Sequence, residues 1–233
     1  RTVDDAADAR LRDPLATRGV FDHRYEAQGL GDVPFDGRLH RVAVGAVDCS
    51  ARLSWRTVPA EDPSVYREAH LTNPFETALL GGPVEVYLDG SLLASTAVDR
   101  VERGGSFVCG LGVDDRVKVA RNVRAEEESA GLLGGSTAVT HTVGIELSST
   151  IKDPVEVTVL ERVPVTDDRA VEIKVTSARP EPEIYDEADR GSPVRGGRRF
   201  HVTVRPDKKT SLELVYRLVF SSKLDIVGGS RRG

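Results

Sequence analysis

Methionine is missing from these 233 residues, cysteine occurs twice, tryptophan once, and aromatic residues make up 5%. Each shortage excludes something. Two cysteines, Cys49 and Cys109, are too few for a disulfide scaffold, and their spacing fits no metal-binding pattern. Both are expected to be reduced residues buried in strands, where free cysteine commonly sits. A bridge between them would require an oxidising compartment. Few aromatic rings leave few platforms on which a sugar could stack. No apolar run approaches the roughly 18 residues that cross a bilayer, so direct membrane insertion is not expected. The chain starts at Arg1 and holds no Met, so its natural start, and a further N-terminal region, are expected upstream. The lack of a signal peptide therefore says nothing about export. The compartment stays open, with the cytoplasm the simpler setting for two free thiols.

Charge of one sign is lacking too. There are 32 basic and 37 acidic side chains, a net charge of −5, and basic residues are interspersed with acids. No global field recruits nucleic acid or an acidic membrane. Hydrophobic residues make up 39% and charged residues 30%, the balance that strands with one wet face produce.

What is present is alternation. "ARLSWRT" places Ala51, Leu53, Trp55 and Thr57 on one face, and "VYREAHLT" sets Val65, Arg67, Ala69 and Leu71 against Tyr66, Glu68, His70 and Thr72. "FDHRY" does the same with Phe21, His23 and Tyr25. Asp89-Gly90 lies between "VEVYL" and "SLLAST", which predicts a hairpin with positive φ at both turn residues, fixing the register of two core strands. "SFVCGLGV", "RVKVAR", "TVGIEL", "VEVTV", "VEIKV", "FHVTV" and "LELVYRLVF" continue the period of two, and the runs around Phe200 and Leu214 are expected to pair as a hairpin. Nothing alternates strand with helix. The expected class is all-β, an antiparallel β-sandwich with little helix and two packed β subdomains. Residues 1–16 read as a tail or the remnant of a preceding helix and 17–122 as the first β subdomain. Residues 123–135 read as an acidic linker, either surface helix or loop; 136–226 as the sandwich subdomain; and 227–233 as a tail.

The order of "HLTNPFETALLGGPVEVYLDGSLLAST", "GGSFVCGLGVDDRVKVAR", "IKDPVEVTVLERVPVTDD" and "LELVYRLVF" resembles the C-terminal domain of bacterial mucoidy-inhibitor-A-like proteins. The matching marks are Asn73, the run from Leu79 to Pro83, Gly112-Val113-Asp114, and the corner Val163-Pro164-Val165; a Phe at 200 replaces an expected Trp. The resemblance covers roughly residues 38 to 222. It implies an all-β fold and a scaffold or envelope-related role, and it brings no catalytic residues.

Chemistry is hard to find in the residues themselves. Asp114 and Asp115 could hold a cation or do acid–base work, but strand neighbours point to opposite faces. A turn in which Asp114 accepts from a backbone N–H two residues on is the better expectation. His23, His40, His70, His141 and His201 form no local ligand pair, and His70 and His201 are expected to be exposed. There is no G-x-S-x-G elbow and no phosphate-binding lysine loop. Cys109 has apolar neighbours, which raise a thiol pKa. No enzyme, cofactor or metal is expected.

Two charge features remain. "EPEIYDEADR", residues 181–190, holds five acids, and from Arg195 onward ten Lys and Arg face three acids. Glu181, Glu183, Asp186, Glu187, Arg198, Arg199 and Arg205 are therefore the candidate interaction surface, for a protein partner or for self-association through complementary patches. The leading expectation is a non-catalytic interaction or assembly module. A carbohydrate or envelope-polysaccharide module is the alternative, and a hydrolase with a metal at Asp114 comes last. Denatured, non-reduced protein is expected to take up two equivalents of a thiol reagent; uptake of none would mean a disulfide.

Overall fold

Twelve strands form among the described residues of the computed structural model, namely 25–27, 29, 31–130, 135–188 and 193–223. They are β1 (Arg52–Thr57), β2 (Tyr66–Thr72), β3 (Gly82–Leu88), β4 (Ser91–Val98), β5 (Ser106–Val113) and β6 (Val117–Ala130). After these come β7 (Ser136–Ser149), β8 (Val155–Arg162), β9 (Val171–Arg179), β10 (Glu183–Ile184), β11 (Gly197–Val204) and β12 (Thr210–Ser221). The expected strand at 21–25 and both tails lie outside the described residues, apart from Tyr25 itself.

The strands make a six-stranded sheet in the order β10-β11-β8-β1-β2-β5, a four-stranded sheet β6-β7-β12-β9, and the lone pair β3-β4. Pairing is antiparallel except between β1 and β8, which run parallel through Trp55–Val157, Arg56–Thr158 and Thr57–Val159. The all-β class holds. The larger sheet draws strands from both sides of residues 123–135. Residues 123–130 of that acidic stretch are neither linker nor helix: they continue β6, paired with β7 from Val123–Val143 to Ala130–Ser136. The physical reason is its place at a sheet edge. An edge strand carries charges that keep other chains from pairing with it, and Glu126, Glu127 and Glu128 read as helix composition for that reason.

The two larger sheets face each other across one core. The six-stranded sheet contributes Trp55, Val155, Val157, Val159, Phe200, Val202 and Val204; the four-stranded sheet contributes Val117, Val143, Ile145, Leu147, Leu212, Leu214 and Tyr216. These are the alternate residues of each strand, as a period of two requires. Burying each large apolar side chain contributes about 1.5–3 kcal/mol, which is what sets the register of both sheets. The same demand separates β11 from β12. Expected as a hairpin, they instead join opposite sheets, β11 beside β8 and β12 between β7 and β9. Each has its own apolar face to bury, and a face-to-face placement buries both.

The Asp89-Gly90 turn has φ of 50° and 79°, the positive values the hairpin demands. Its strands are not core strands, however. As strands, β3 and β4 pair only with each other among the described residues, and they contribute nothing to the main cluster. Cys109 is buried in β5, where burial pushes its thiol pKa up. Cys49 is a correction: it is free but exposed and lies outside any strand, because the segment leading to β1 runs over the surface.

Backbone constraints hold the connections. Buried Asn73 donates its amide to the carbonyls of Thr77, Val101 and Glu102 at 3.0, 3.2 and 3.1 Å, and accepts from Phe75 N at 3.0 Å. It thereby ties the end of β2 to the return into β5. At the other end, Val163 N donates to Gly196 O at 2.9 Å. A Cβ on Gly196, whose φ is 80°, would lie 2.1 Å from Val163 O, and one on Gly197 2.0 Å from Tyr185 O. Backbones approach there too closely for any other residue.

An ion pair links the two larger sheets. Glu161 of β8, with a side chain 2% exposed, accepts from Arg121 Nε of β6 at 2.7 Å and from the Arg162 N–H at 2.9 Å. Charges taken out of water this way demand their partners. Glu161→Leu alone is expected to cost about 3–5 kcal/mol by leaving Arg121 uncompensated. Adding Arg121→Met should recover most of that, measured as the denaturant midpoint of each variant; equal losses in the single and double variants would refute the coupling.

Candidate functional site

The outward face of the six-stranded sheet carries the densest set of polar side chains. Alternation turns Trp55 and Thr57 inward, which leaves Arg52, Ser54 and Arg56 of β1 on the opposite face. Register then sets Arg52 beside His70 and Ser54 beside Glu68 on β2, with Arg56 beside Thr158 on β8 and Thr158 beside His201 on β11. The result is an open groove of about 450 Å³ across five strands, from Val108 of β5 to Arg199 of β11, with Tyr185 beside Arg199.

Inside it, polar groups are already paired. Ser54 Oγ lies 2.7 Å from His70 Nε2. His70, expected to be exposed, is half-buried because it answers the hydroxyl of Ser54, itself 8% exposed. Arg56 meets Glu187 at 3.1 Å and Glu68 at 3.8 Å. Arg199 donates to Glu183 Oε2 from Nε at 3.0 Å and from Nη2 at 2.8 Å, and its guanidinium lies 4.4 Å over the Tyr185 ring. Arg199, followed by His201, holds the Glu183 carboxyl below its usual range. His201 is exposed, as expected.

The candidate surface read from the sequence is thus divided by the fold. Glu183, Glu187 and Arg199 come together at the rim of the groove, where they pair within one molecule. Asp186 is used locally: its Oδ1 accepts from Ala188 N at 3.1 Å and its backbone O from Val194 N at 2.6 Å. Arg198 donates to Gly197 O at 2.9 Å. Glu181 is exposed before β10. Arg205 follows the far end of β11, six residues from Arg199 and so about 20 Å away. Sequence reasoning missed Ser54, His70 and Arg56. Their shared face was legible from the alternation around Trp55, but the register that brings them to β8 and β11 was not.

Asp114 is a structural anchor. Its Oδ1 accepts from the Arg116 backbone N–H at 3.3 Å, the expected turn, and from Arg116 Nε at 2.8 Å; its Oδ2 accepts from Arg116 Nη2 at 2.8 Å and from Trp55 Nε1 at 3.0 Å. Asp115 is exposed and pairs with Lys118, so the two carboxylates share no site. Among the described residues no group of three or more His, Cys, Asp or Glu is arranged to hold a metal ion. The Val163-Pro164-Val165 corner, Asn73 and Gly112-Val113-Asp114 all fall at such backbone anchors, away from the groove's polar pairs.

Residues 9–221 match a family described as Domain of unknown function (DUF4139). No curated protein and no solved structure matches the chain.

The bonds from Arg116, and then from Trp55, hold the Asp114 carboxyl well below the usual carboxylate range despite its burial. With the folded pKa depressed below the roughly 3.9 of an unfolded Asp, its contribution is complete above about pH 4 and drains away as pH falls toward the folded value. Asp114→Ala is expected to cost about 1.5–3 kcal/mol at pH 7, since it strands the indole N–H. Thermal melts from pH 7 downward should show wild type and variant converging in strong acid. A constant gap down to pH 2 would refute the assignment.

Proposed function

The chain belongs to the family described as Domain of unknown function (DUF4139), and from that premise, which names no activity, we propose that it is a non-catalytic protein-interaction module. The observation that carries this is an exposed apolar surface on an element that the core does not require. On the β3-β4 hairpin Tyr87 and Leu92, directly opposite each other, and Leu88 on the other face are 52–57% exposed, and Leu80 just before β3 is 52% exposed. The segment before β1 adds exposed Val42, Val44 and Val47, and its Arg41 pairs with Glu85 of β3 at 3.3 Å. Large apolar side chains left exposed on an element that the core does not need are the kind that meet another protein. The ordering of Asn73, the Leu79–Pro83 run and the Val163–Val165 corner supports a tie to the C-terminal domain of mucoidy-inhibitor-A-like proteins, with a scaffold role.

The alternatives have less support. A carbohydrate module needs an open aromatic face, whereas Trp55 is buried in the core and Tyr185 lies under Arg199. A metal at Asp114 would have to displace four hydrogen bonds from Trp55 and Arg116.

Self-association through the hairpin is the form of this proposal that purified protein can test. Sedimentation velocity should give concentration-dependent oligomers for wild type and monomers for Leu88→Asp with Leu92→Asp, at unchanged melting temperature. The internal pairing of Glu183 and Glu187 makes the apolar contact primary, so 1 M NaCl should leave these oligomers largely intact. A wild type that stays monomeric at high concentration would refute the self-assembling form.

A further inference from the structure

Next to the groove, on the same outward face of the six-stranded sheet, lies a second concavity of about 460 Å³. Register builds it. Arg52 of β1 stands beside His70 of β2, and His70 beside Val108 of β5. Two residues along, Thr72 of β2 stands beside Ser106 of β5. Ser50, two residues before Arg52, completes the lining. The bond between Ser54 Oγ and His70 Nε2, 2.7 Å long, fixes the imidazole at the border between this hollow and the groove.

The polar side chains of this lining are one guanidinium, one imidazole and three hydroxyls, all of them able to donate. Among the described residues no Asp or Glu lines the space. Nor, among them, do the side chains of Ser50, Arg52, Thr72 and Ser106 have a hydrogen-bond or ion-pair partner. The groove beside it is different, because its arginines are neutralised within the molecule. Carboxylates farther along the face are engaged there: Glu68 lies 3.8 Å from Arg56, and Glu156 accepts from the Thr203 hydroxyl at 2.7 Å. The chain's net charge of −5 opposes an anion only weakly from a distance, since exposed charges are screened beyond about 8 Å at physiological salt.

We propose that this concavity binds a phosphate monoester, held by the Arg52 guanidinium and the hydroxyls of Ser50, Thr72 and Ser106. Neighbouring strands lie about 4.8 Å apart and successive outward residues of one strand about 7 Å apart. An ion seated over Thr72 therefore has a hydroxyl on either side and lies within reach of the long Arg52 side chain. Three terminal phosphate oxygens use all of these donors, the guanidinium supplying the strongest bonds. A planar carboxylate is satisfied by the guanidinium alone and leaves the hydroxyls idle. The same chemistry is offered by a phosphorylated side chain of a partner protein and by free phosphate. The site needs nothing from the β3-β4 hairpin.

The test titrates the isotope-labelled full chain with inorganic phosphate, with a short neutral peptide carrying one phosphoserine, and with acetate, followed by NMR. Both phosphate ligands should shift the amide signals of Ser50, Arg52, Thr72 and Ser106 to saturation. Arg124, exposed on β6, should not move. Acetate should bind more weakly by about fivefold or more. Arg52→Ala should weaken phosphate binding about tenfold, and Thr72→Val with Ser106→Ala about threefold, at unchanged melting temperature. Leu88→Asp with Leu92→Asp should bind phosphate as the wild type does, so the hairpin contact and this site fail separately. Tighter binding of the phosphopeptide than of phosphate assigns the ligand to a partner's side chain, and equal binding assigns it to the free anion; both support the site. Signals that stay put at high phosphate, shifts as large at Arg124, or equal binding of acetate overturn the proposal, and none of these requires a variant to fold.

Discussion

Three parallel residue pairs between β1 and β8 join what would otherwise be separate halves. Without them, β1, β2 and β5 would have no share in the sheet that β8, β10 and β11 build. Parallel pairing tolerates solvent poorly, and here both strands are interior. Trp55 is the residue that makes the junction rigid. It pairs with Val157, fills the core from the larger sheet, and anchors its indole N–H on Asp114 at the β5–β6 turn. Position of the outward groove, spacing of Ser54 and Arg56 from β8, and direction of the β2–β5 arm all follow from that one seam.

The residues that carried the family resemblance turn out to be places where backbone geometry is tight. Asn73 satisfies three carbonyls, Gly112 has φ of 80°, Asp114 gathers Arg116 and Trp55, and Val163 binds Gly196 O. None of them lies in a cluster of reactive groups.

Most of the strands were legible because burial on one face imposes a period of two, seen in Val155-Val157-Val159 and Leu212-Leu214-Tyr216. The Asp89-Gly90 turn was legible because few residues tolerate positive φ. What alternation does not encode is which strand lies beside which. β11 and β12 each announced an inward face without saying that the faces belong to opposite sheets, and the pairing of Ser54 with His70 depends on that missing layer. Residues 123–130 misled for a different reason: three glutamates suit a solvated helix and a solvated edge strand equally. The candidate surface read from charge was half legible. Its charges were visible, but side-chain reach from Arg56 and Arg199 consumed the carboxylates of Glu187 and Glu183.

The placement of the outer strands in the chain has a mechanical meaning. Among the described residues β1 and β12 are the first and last strands, and each is interior to its sheet, β1 between β8 and β2, β12 between β7 and β9. A pull on the two ends therefore reaches no edge from which a strand could be peeled bond by bond. It loads hydrogen bonds on both flanks at once and drags one layer of the sandwich across the other, against the Arg121–Glu161 tie. Resistance to such loading is set by the unfolding rate rather than by equilibrium stability. A domain threaded this way transmits tension between whatever precedes β1 and whatever follows β12 while its lateral hairpin and edge strand stay unloaded.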